Sequence, residues 1–231
     1  MHACGHDAHV AMLLGAAEIL SEMKGEFAGR IKFLFQPDEE RGCGAKVMRN
    51  AGVLEDVDAV FGIHVWSPLE SGKIMVNQGP MMAAVDNIWM SFKGGGGHSS
   101  EPHGTSDPLL AATDLINAVY KMNAREIDTR DASLVTIEAL HSEADWGVIP
   151  NEASMKGTIR TFDKEVRKKI IKKVKKIGNS IADLYELEFN FDNLYAFPPI
   201  INTKQEAELV RNVTKLLFDE KEVITGKPVM S

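Results

Sequence analysis

DKEVRKKIIKKVKKIGNSIADLYELEFNFD, residues 163–192, carries two periodicities in succession. Val166, Ile170, Val174, Ile177, Ile181 and Leu184 recur at three- and four-residue spacing, which predicts an amphipathic helix over 163–185 with those residues on its buried stripe. The lysines of KKIIKKVKK fall opposite that stripe and read as a solvated helix face. After Tyr185 the spacing changes to two: ELEFNFD (186–192) alternates apolar and polar residues as a half-buried strand does. A helix with one apolar stripe and a strand with one apolar face must bury them together, so this stretch calls for helix-on-sheet packing.

Upstream, DNIWMSFKG (86–94) alternates as a strand and DPLLAATDLINAVYKMNA (107–124) is helical. SLVTIEAL (133–140) and EASMKGTIRTF (152–162) read as two more strands. The order β-α-β-β-α-β is the ferredoxin-like plan, expected over residues 83–195. Before it, helical spacing from Asp7 to Lys24 ends at Gly25, and RIKFLFQ (30–36), DAVFGIHV (58–65) and GKIMVN (72–77) read as strands, the first two buried. PDEERGCGAKVMRNAG between the first two is a loop leading into a short helix. After it, PPIINTKQEAELVRNVTKLLFD (198–219) supplies another helix. Strands alternating with helices predict an α/β layer domain with a mostly parallel sheet, built from residues 1–82 and 196–231, with the 83–195 domain inserted.

Bulk composition narrows the function classes. The chain has 231 residues, 44% of them hydrophobic, enough for a sizeable core. A net charge of −7 argues against nucleic acid or an anionic membrane as partner. No apolar run approaches the roughly 18 residues of a spanning helix. The two cysteines, Cys4 and Cys43, make no disulfide framework. That cysteine usage reads as a reducing cytosol, so a cytoplasmic location is expected, and the opening residues lack the basic-then-apolar layout of a secretory leader.

Several segments carry chemistry. Cys4-x-His6 sets a thiol and an imidazole two residues apart, on one face of the chain if that segment is extended. A buried cysteine and a helix-capping histidine are the alternative, and His9 reads as an ordinary helix residue. FQPDEE ends the 30–36 segment with Asp38, Glu39 and Glu40, which repel one another unless a positive group sits there. Adjacent carboxylates suit a hydrolytic metal site in which one binds the ion and the other takes a proton from water; a solvated acidic turn is the alternative. His64 in VFGIHVW ends another apolar segment. Cys, His and carboxylate together favour zinc or another borderline divalent ion over magnesium. No C-x-x-C pair and no H-E-x-x-H is present. FKGGGGHSSEPHGTSDP (92–108) lacks the Lys-Ser/Thr of a phosphate loop, so its glycines serve to present His98.

Taken together, HACGHDAHVAMLLGAA, FQPDEE, GIHVW, GGGGHSSEPHGTSDP and PNEASMKGTIRTFD resemble the metal-dependent amidohydrolases of the aminoacylase/carboxypeptidase metallopeptidase group, which includes hippurate hydrolase and the N-acyl- and indole-3-acetyl-amino-acid hydrolases. The resemblance runs the length of the chain in the family's order. It implies an α/β, zinc-peptidase-like catalytic domain, with an inserted ferredoxin-like lid that dimerises. It implies two divalent ions (Zn, Mn, Co or Ni), with Cys4, His6, Glu40 and His64 as ligands and Asp7 orienting one of them from behind. Glu39 matches the general base, and His98 the lid histidine that reaches a partner subunit's site and stabilises an oxyanion. Asn151 and Arg160 match positions that hold the substrate, here an N-acyl amino acid.

The resemblance also implies more sequence before HACGHD and, beyond PVMS, a Glu-Asp-Phe motif and a last histidine ligand. The chain is therefore expected to be a piece cut at both ends, with Met1 at an internal family position. Asp38 stands where relatives commonly have Ala. Two alternatives remain at this point: an inactive dimerising fragment, or a related dipeptidase or N-acetyl-diaminopimelate or N-succinyl deacylase.

Overall fold

A computed structural model describes residues 2–230; Met1 and Ser231 lie outside the described residues, and with them the expectation about Met1. In chain order the elements begin with α1 (His6–Glu22), α2 (Gly44–Asn50), β1 (Ile74–Met75), β2 (Gly79–Met82), β3 (Ala84–Lys93) and β4 (Gly97–His98). There follow α3 (Pro108–Glu126), β5 (Ser133–His141), β6 (Val148–Ile149), β7 (Glu152–Thr161), α4 (Lys164–Tyr185) and β8 (Glu188–Phe197). β9 (Ile200–Asn202), α5 (Lys204–Leu217) and β10 (Val223–Ile224) complete the chain. It divides into two units, one taking the chain up to Met75 and again over Leu209–Ile224, the other taking Val76–Glu208 and the chain from Thr225.

The second unit holds most of the core. β3-α3-β5-β7-α4-β8 forms one antiparallel sheet in the order β5-β7-β3-β8. Both helices pack on one face of it. On β3, Ala84, Asp86, Ile88, Met90 and Phe92 are buried and alternate with more exposed neighbours, the period-two pattern of a sheet covered on one side. Ile88, Phe92, Leu115, Val119, Ile159, Ile170 and Val174 are fully buried, each contributing about 1.5–3 kcal/mol. The helices begin at built-in caps: Asp107 accepts from the Leu109 and Leu110 amides, and Asp163 from those of Glu165 and Val166. On α4 the buried stripe runs through Val166, Ile170, Val174, Gly178 and Ala182. Leu184 was expected on that stripe but is 73% exposed. At 3.6 residues per turn the core-facing line passes through Ala182 and the half-buried Tyr185 instead.

Asp86, buried in this mainly apolar layer, is held in an ion pair with Arg167. Arg167 donates from Nε and Nη2 to the two oxygens of Asp86 at 2.6 and 2.5 Å, and Asn193 donates to Oδ1 at 3.2 Å. The guanidinium lies 4.0 Å from the Tyr195 ring centre. The hydrogen bond to Asp86 holds the Arg167 pKa above its ordinary value.

The first unit differs from expectation. Of the three strands expected there, only Ile74–Met75 joins a ladder, parallel to Val223–Ile224. Residues 30–36 and 58–65 join no ladder among the described residues, and Ile31, Phe35, Val60, Phe61 and Ile63 are 43–75% exposed. A strand exists only where a neighbour takes its amides and carbonyls. Apolar content alone therefore marks a segment that could be buried, not one that is. The helices expected in this unit are present as α1 and α2.

Candidate metal centre

The residues of the HACGHD and FQPDEE motifs meet in the first unit. One donor atom from each of Cys4, His6, Glu39 and Glu40 lies within 4.8 Å of all the others. The means of convergence is a turn rather than an extended segment. Gly5 takes a left-handed φ of 78° and caps α1, so His6 becomes the first helical residue while Cys4 stays before it. An added Cβ at Gly5 would stand 2.4 Å from Val65 Cγ2, so the position demands glycine for space as well as for φ.

The FQPDEE acids separate by partner. Asp38, also left-handed at φ 52°, accepts a 2.7 Å hydrogen bond from Arg41 Nε. Glu39 and Glu40 follow in a single 3-10 turn and present oxygens 3.3 and 3.8 Å from His6 Nε2. Arg41 thus offsets the repulsion expected of three successive acids at the Asp38 end.

His64 joins from the 58–65 segment. Its Nδ1 donates to the Val65 carbonyl at 2.5 Å, which leaves Nε2 as an acceptor, hydrogen-bonded to Cys4 Sγ at 3.4 Å. Two such donors bound to one tetrahedral zinc stand about 3.5 Å apart, given usual Zn–S and Zn–N lengths. His9 is not an isolated helix residue: its Nε2 accepts the Val65 amide at 3.0 Å, and its ring meets the His64 ring at 4.5 Å. One turn along α1 from His6, it clips the His64 segment to the helix. The His6-x-x-His9 spacing, which puts both on one helix face, is the signal that could have found it.

Electrostatics agree with a cation site. Burial, then the charges of Glu40 and Glu39, push the Cys4 thiol pKa up. Burial and the neighbouring His64 and His6 lower that of His9, against Asp7 and Glu39. A thiolate beside two carboxylates is unfavourable alone and is what a divalent ion stabilises. Sulfur, imidazole and carboxylate donors in one cluster fit zinc or a similar borderline ion. Asp7 sits exposed in the first turn of α1, with no hydrogen bond to a candidate ligand among the described residues.

The other candidates lie in the second unit. His98 ends β4, which pairs antiparallel with β6. Gly96, at φ 58°, approaches so closely that a Cβ would stand 2.6 Å from the Ile149 carbonyl oxygen. Asn151 lies beside that approach, its carbonyl accepting the Gly94 amide at 2.9 Å. Arg160 lies at the far end of β7, and its Nη1 donates to the Met230 carbonyl at 2.6 Å. Nine residues of strand separate Asn151 from Arg160, about 30 Å. The two therefore do not meet around one small molecule within a single copy.

The whole chain, residues 1–231, matches the model of peptidase family M20/M25/M40. It is 40% identical over 236 residues to thermostable carboxypeptidase 1 of Saccharolobus solfataricus, covering all of this chain and 58% of that protein. It is 38% identical over 203 residues to an N-acyl-L-amino acid amidohydrolase of Geobacillus stearothermophilus, covering 87% of this chain and 55% of that one. The fold also matches a Bacillus subtilis crystal structure described as a dinuclear metal-binding peptidase of the M20 family, with TM-score 0.80, 31% identity, and 100% and 58% coverage of the two chains. The chain thus spans a little over half the length of these relatives. With its own thiol, imidazole and paired carboxylates converging in one cluster, the chain belongs to the M20/M25/M40 family of peptidases.

Proposed function

We propose that this chain carries the metal-binding centre of a metal-dependent hydrolase that cleaves the amide bond of N-acyl amino acids. The observation that carries the reading is the convergence of Cys4, His6, Glu39 and Glu40, with His64 at Cys4. Cys4, His6, Glu40 and His64 are assigned as ligands for two divalent ions of the Zn, Mn, Co or Ni kind. Bound there, such ions would lower the pKa of water and polarise a carbonyl oxygen. Glu39, the other carboxylate beside His6, accepts the proton of the attacking water and returns it to the leaving amine. His98 donates a hydrogen bond to the oxyanion that forms, a contribution of about 3–4 kcal/mol in comparable sites. Asn151 and Arg160 are assigned to substrate binding; their separation along β7 suits contacts to different sites in a homodimer.

We assign residues 83–195 as a ferredoxin-like domain inserted into a catalytic domain of residues 1–82 and 196–231, as the strand order supports. Dimerisation through it is supported by the character of its edges. Outer strand β5 carries one exposed acid, Glu138, against Glu188 and Asp192 on β8, and Leu109, Leu110 and Tyr120 of α3 are exposed apolar side chains. Among the described residues no helix is long and apolar enough to cross a membrane. The two free cysteines suit the cytoplasm.

A second reading has its own observation. Among the described residues of the first unit only Gly44, Thr214 and Val223 are buried, so the chain could fold as a dimerising unit with an unstable metal site. Metal analysis separates the two. The proposal expects close to two ions per chain, fewer in Glu40→Ala, and Glu39→Gln retaining metal while hydrolysis falls by orders of magnitude. No bound metal supports the second reading, and full activity in Glu39→Gln removes the base role. A panel of N-acyl amino acids, dipeptides and N-acetyl- and N-succinyl-diaminopimelate sorts the substrate.

A further inference from the structure

His98 does not stand alone in its loop. The Ser100 backbone amide donates to His98 Nδ1 at 3.2 Å, and the Ser100 hydroxyl lies 2.7 Å from the same nitrogen. A backbone N–H can only donate. Nδ1 must therefore be the lone-pair nitrogen of the neutral ring, and the ring proton must sit on Nε2. With its lone pair already offered to the amide, Nδ1 has no proton to give the hydroxyl, so the hydroxyl donates too.

The backbone around this pair is held independently. β4 pairs with β6, the Ser99 amide donates to the Gly147 carbonyl at 2.9 Å, and the Glu101 amide donates to the His98 carbonyl at 3.0 Å. His98 is exposed, and among the described residues nothing bonds its Nε2. The ring is thus tethered at one nitrogen and presents the other outward.

We propose that Ser100 is a positioning residue. Its hydroxyl and amide fix the His98 ring in the Nε2–H tautomer and aim that N–H outward as a ready hydrogen-bond donor. This rests on the reading of His98 as the oxyanion donor, for which the Nε2–H form is the one required. A ring free to flip or to carry its proton on Nδ1 would present a lone pair to a developing negative charge and repel it. Neither the composition of the glycine-rich loop nor the position of His98 at its end calls for Ser100; the two-residue reach of its hydroxyl does.

The first test reads the tautomer directly, in the purified chain with 15N-labelled histidine. Wild type should show His98 Nδ1 unprotonated and Nε2 protonated. In Ser100→Ala, which keeps the amide but loses the hydroxyl, the preference for Nε2–H should fall by about five- to tenfold, the worth of one hydrogen bond. Ser100→Thr should restore it. A protonated Nδ1 in wild type, or ring signals unmoved by Ser100→Ala, overturns the proposal whatever the enzyme does.

The second test is kinetic and separates this proposal from the role of His98 itself. Ser100→Ala should lower kcat by about tenfold with KM and metal content unchanged, and should do nothing further in a His98→Ala background. Equal losses in both backgrounds would show that Ser100 acts without His98 and refute the positioning role. A His98→Ala variant with unchanged kcat would instead remove the oxyanion reading, and the spectra would still decide how the ring is held.

Discussion

Replacing Asp86 by alanine removes the acceptor of three hydrogen bonds inside the helix-covered layer of the second unit. Breaking a buried ion pair from one side costs about 3–5 kcal/mol, most of it from the charge left behind. The two sides are unequal here: the Asp86 side chain is 1% exposed and that of Arg167 17%. An arginine stranded by Asp86→Ala still reaches water and still lies on Tyr195, so the loss should fall near 3 kcal/mol, about the lower bound. A carboxylate stranded by Arg167→Ala keeps only Asn193, and that loss should reach about 5 kcal/mol. Asp86→Leu combined with Arg167→Met removes both charges and should return to within about 1 kcal/mol of wild type. Urea unfolding followed by fluorescence in a Trp66→Phe background reads this unit through Trp89 and Trp146. With a slope of about 2 kcal/mol/M, the Asp86→Ala midpoint should move by about 1.5 M. A loss under about 1 kcal/mol for either single variant, or a double variant no better than the worse single, would refute the claim that the pair is energetically coupled.

His9→Ala should weaken metal binding by about 10- to 100-fold, because the clip holding the His64 segment to α1 is lost while every proposed ligand remains; competition with a chromogenic chelator measures this, and unchanged affinity would make His9 a bystander. Lys173 bonds the Glu126 carboxylate and holds its pKa below the usual carboxylate value. A folded pKa below the unfolded one gives stability that is present above the unfolded value and lost as pH falls through the folded one. Glu126→Gln should therefore lower Tm slightly at pH 7, with the gap shrinking in high salt and closing as pH drops below about 4, whereas a gap that widens in acid would contradict the assignment.

The second unit was legible because its signals are local. The stripe of Val166, Ile170 and Val174, the alternation of β3 and the caps Asp107 and Asp163 each act within a few residues, and each agrees with the packing it meets. The stripe's last member was not legible, since Leu184 is the more apolar of two neighbours, yet Tyr185 packs on the core while its hydroxyl bonds Asp114 of α3. Residues 30–36 and 58–65 look like strands by composition, but pairing is a property of two segments and no single segment encodes it.

The candidate site divides along the same line. The residue types of the metal cluster, and the glycine that brings Cys4 beside His6, are written in the HACGHD motif. That Arg41 draws Asp38 aside while Glu39 and Glu40 turn to His6, that His9 clips the segment bearing His64, and that Ser100 takes one nitrogen of His98 are matters of direction in space. By itself the sequence determined which donors the chain owns and, in the second unit, which main helices and strands form. Only the tertiary structure decided which donors face one another, because hydrogen bonds and metal ligation depend on distances of a few ångströms between residues that can lie 60 positions apart, as Cys4 and His64 do.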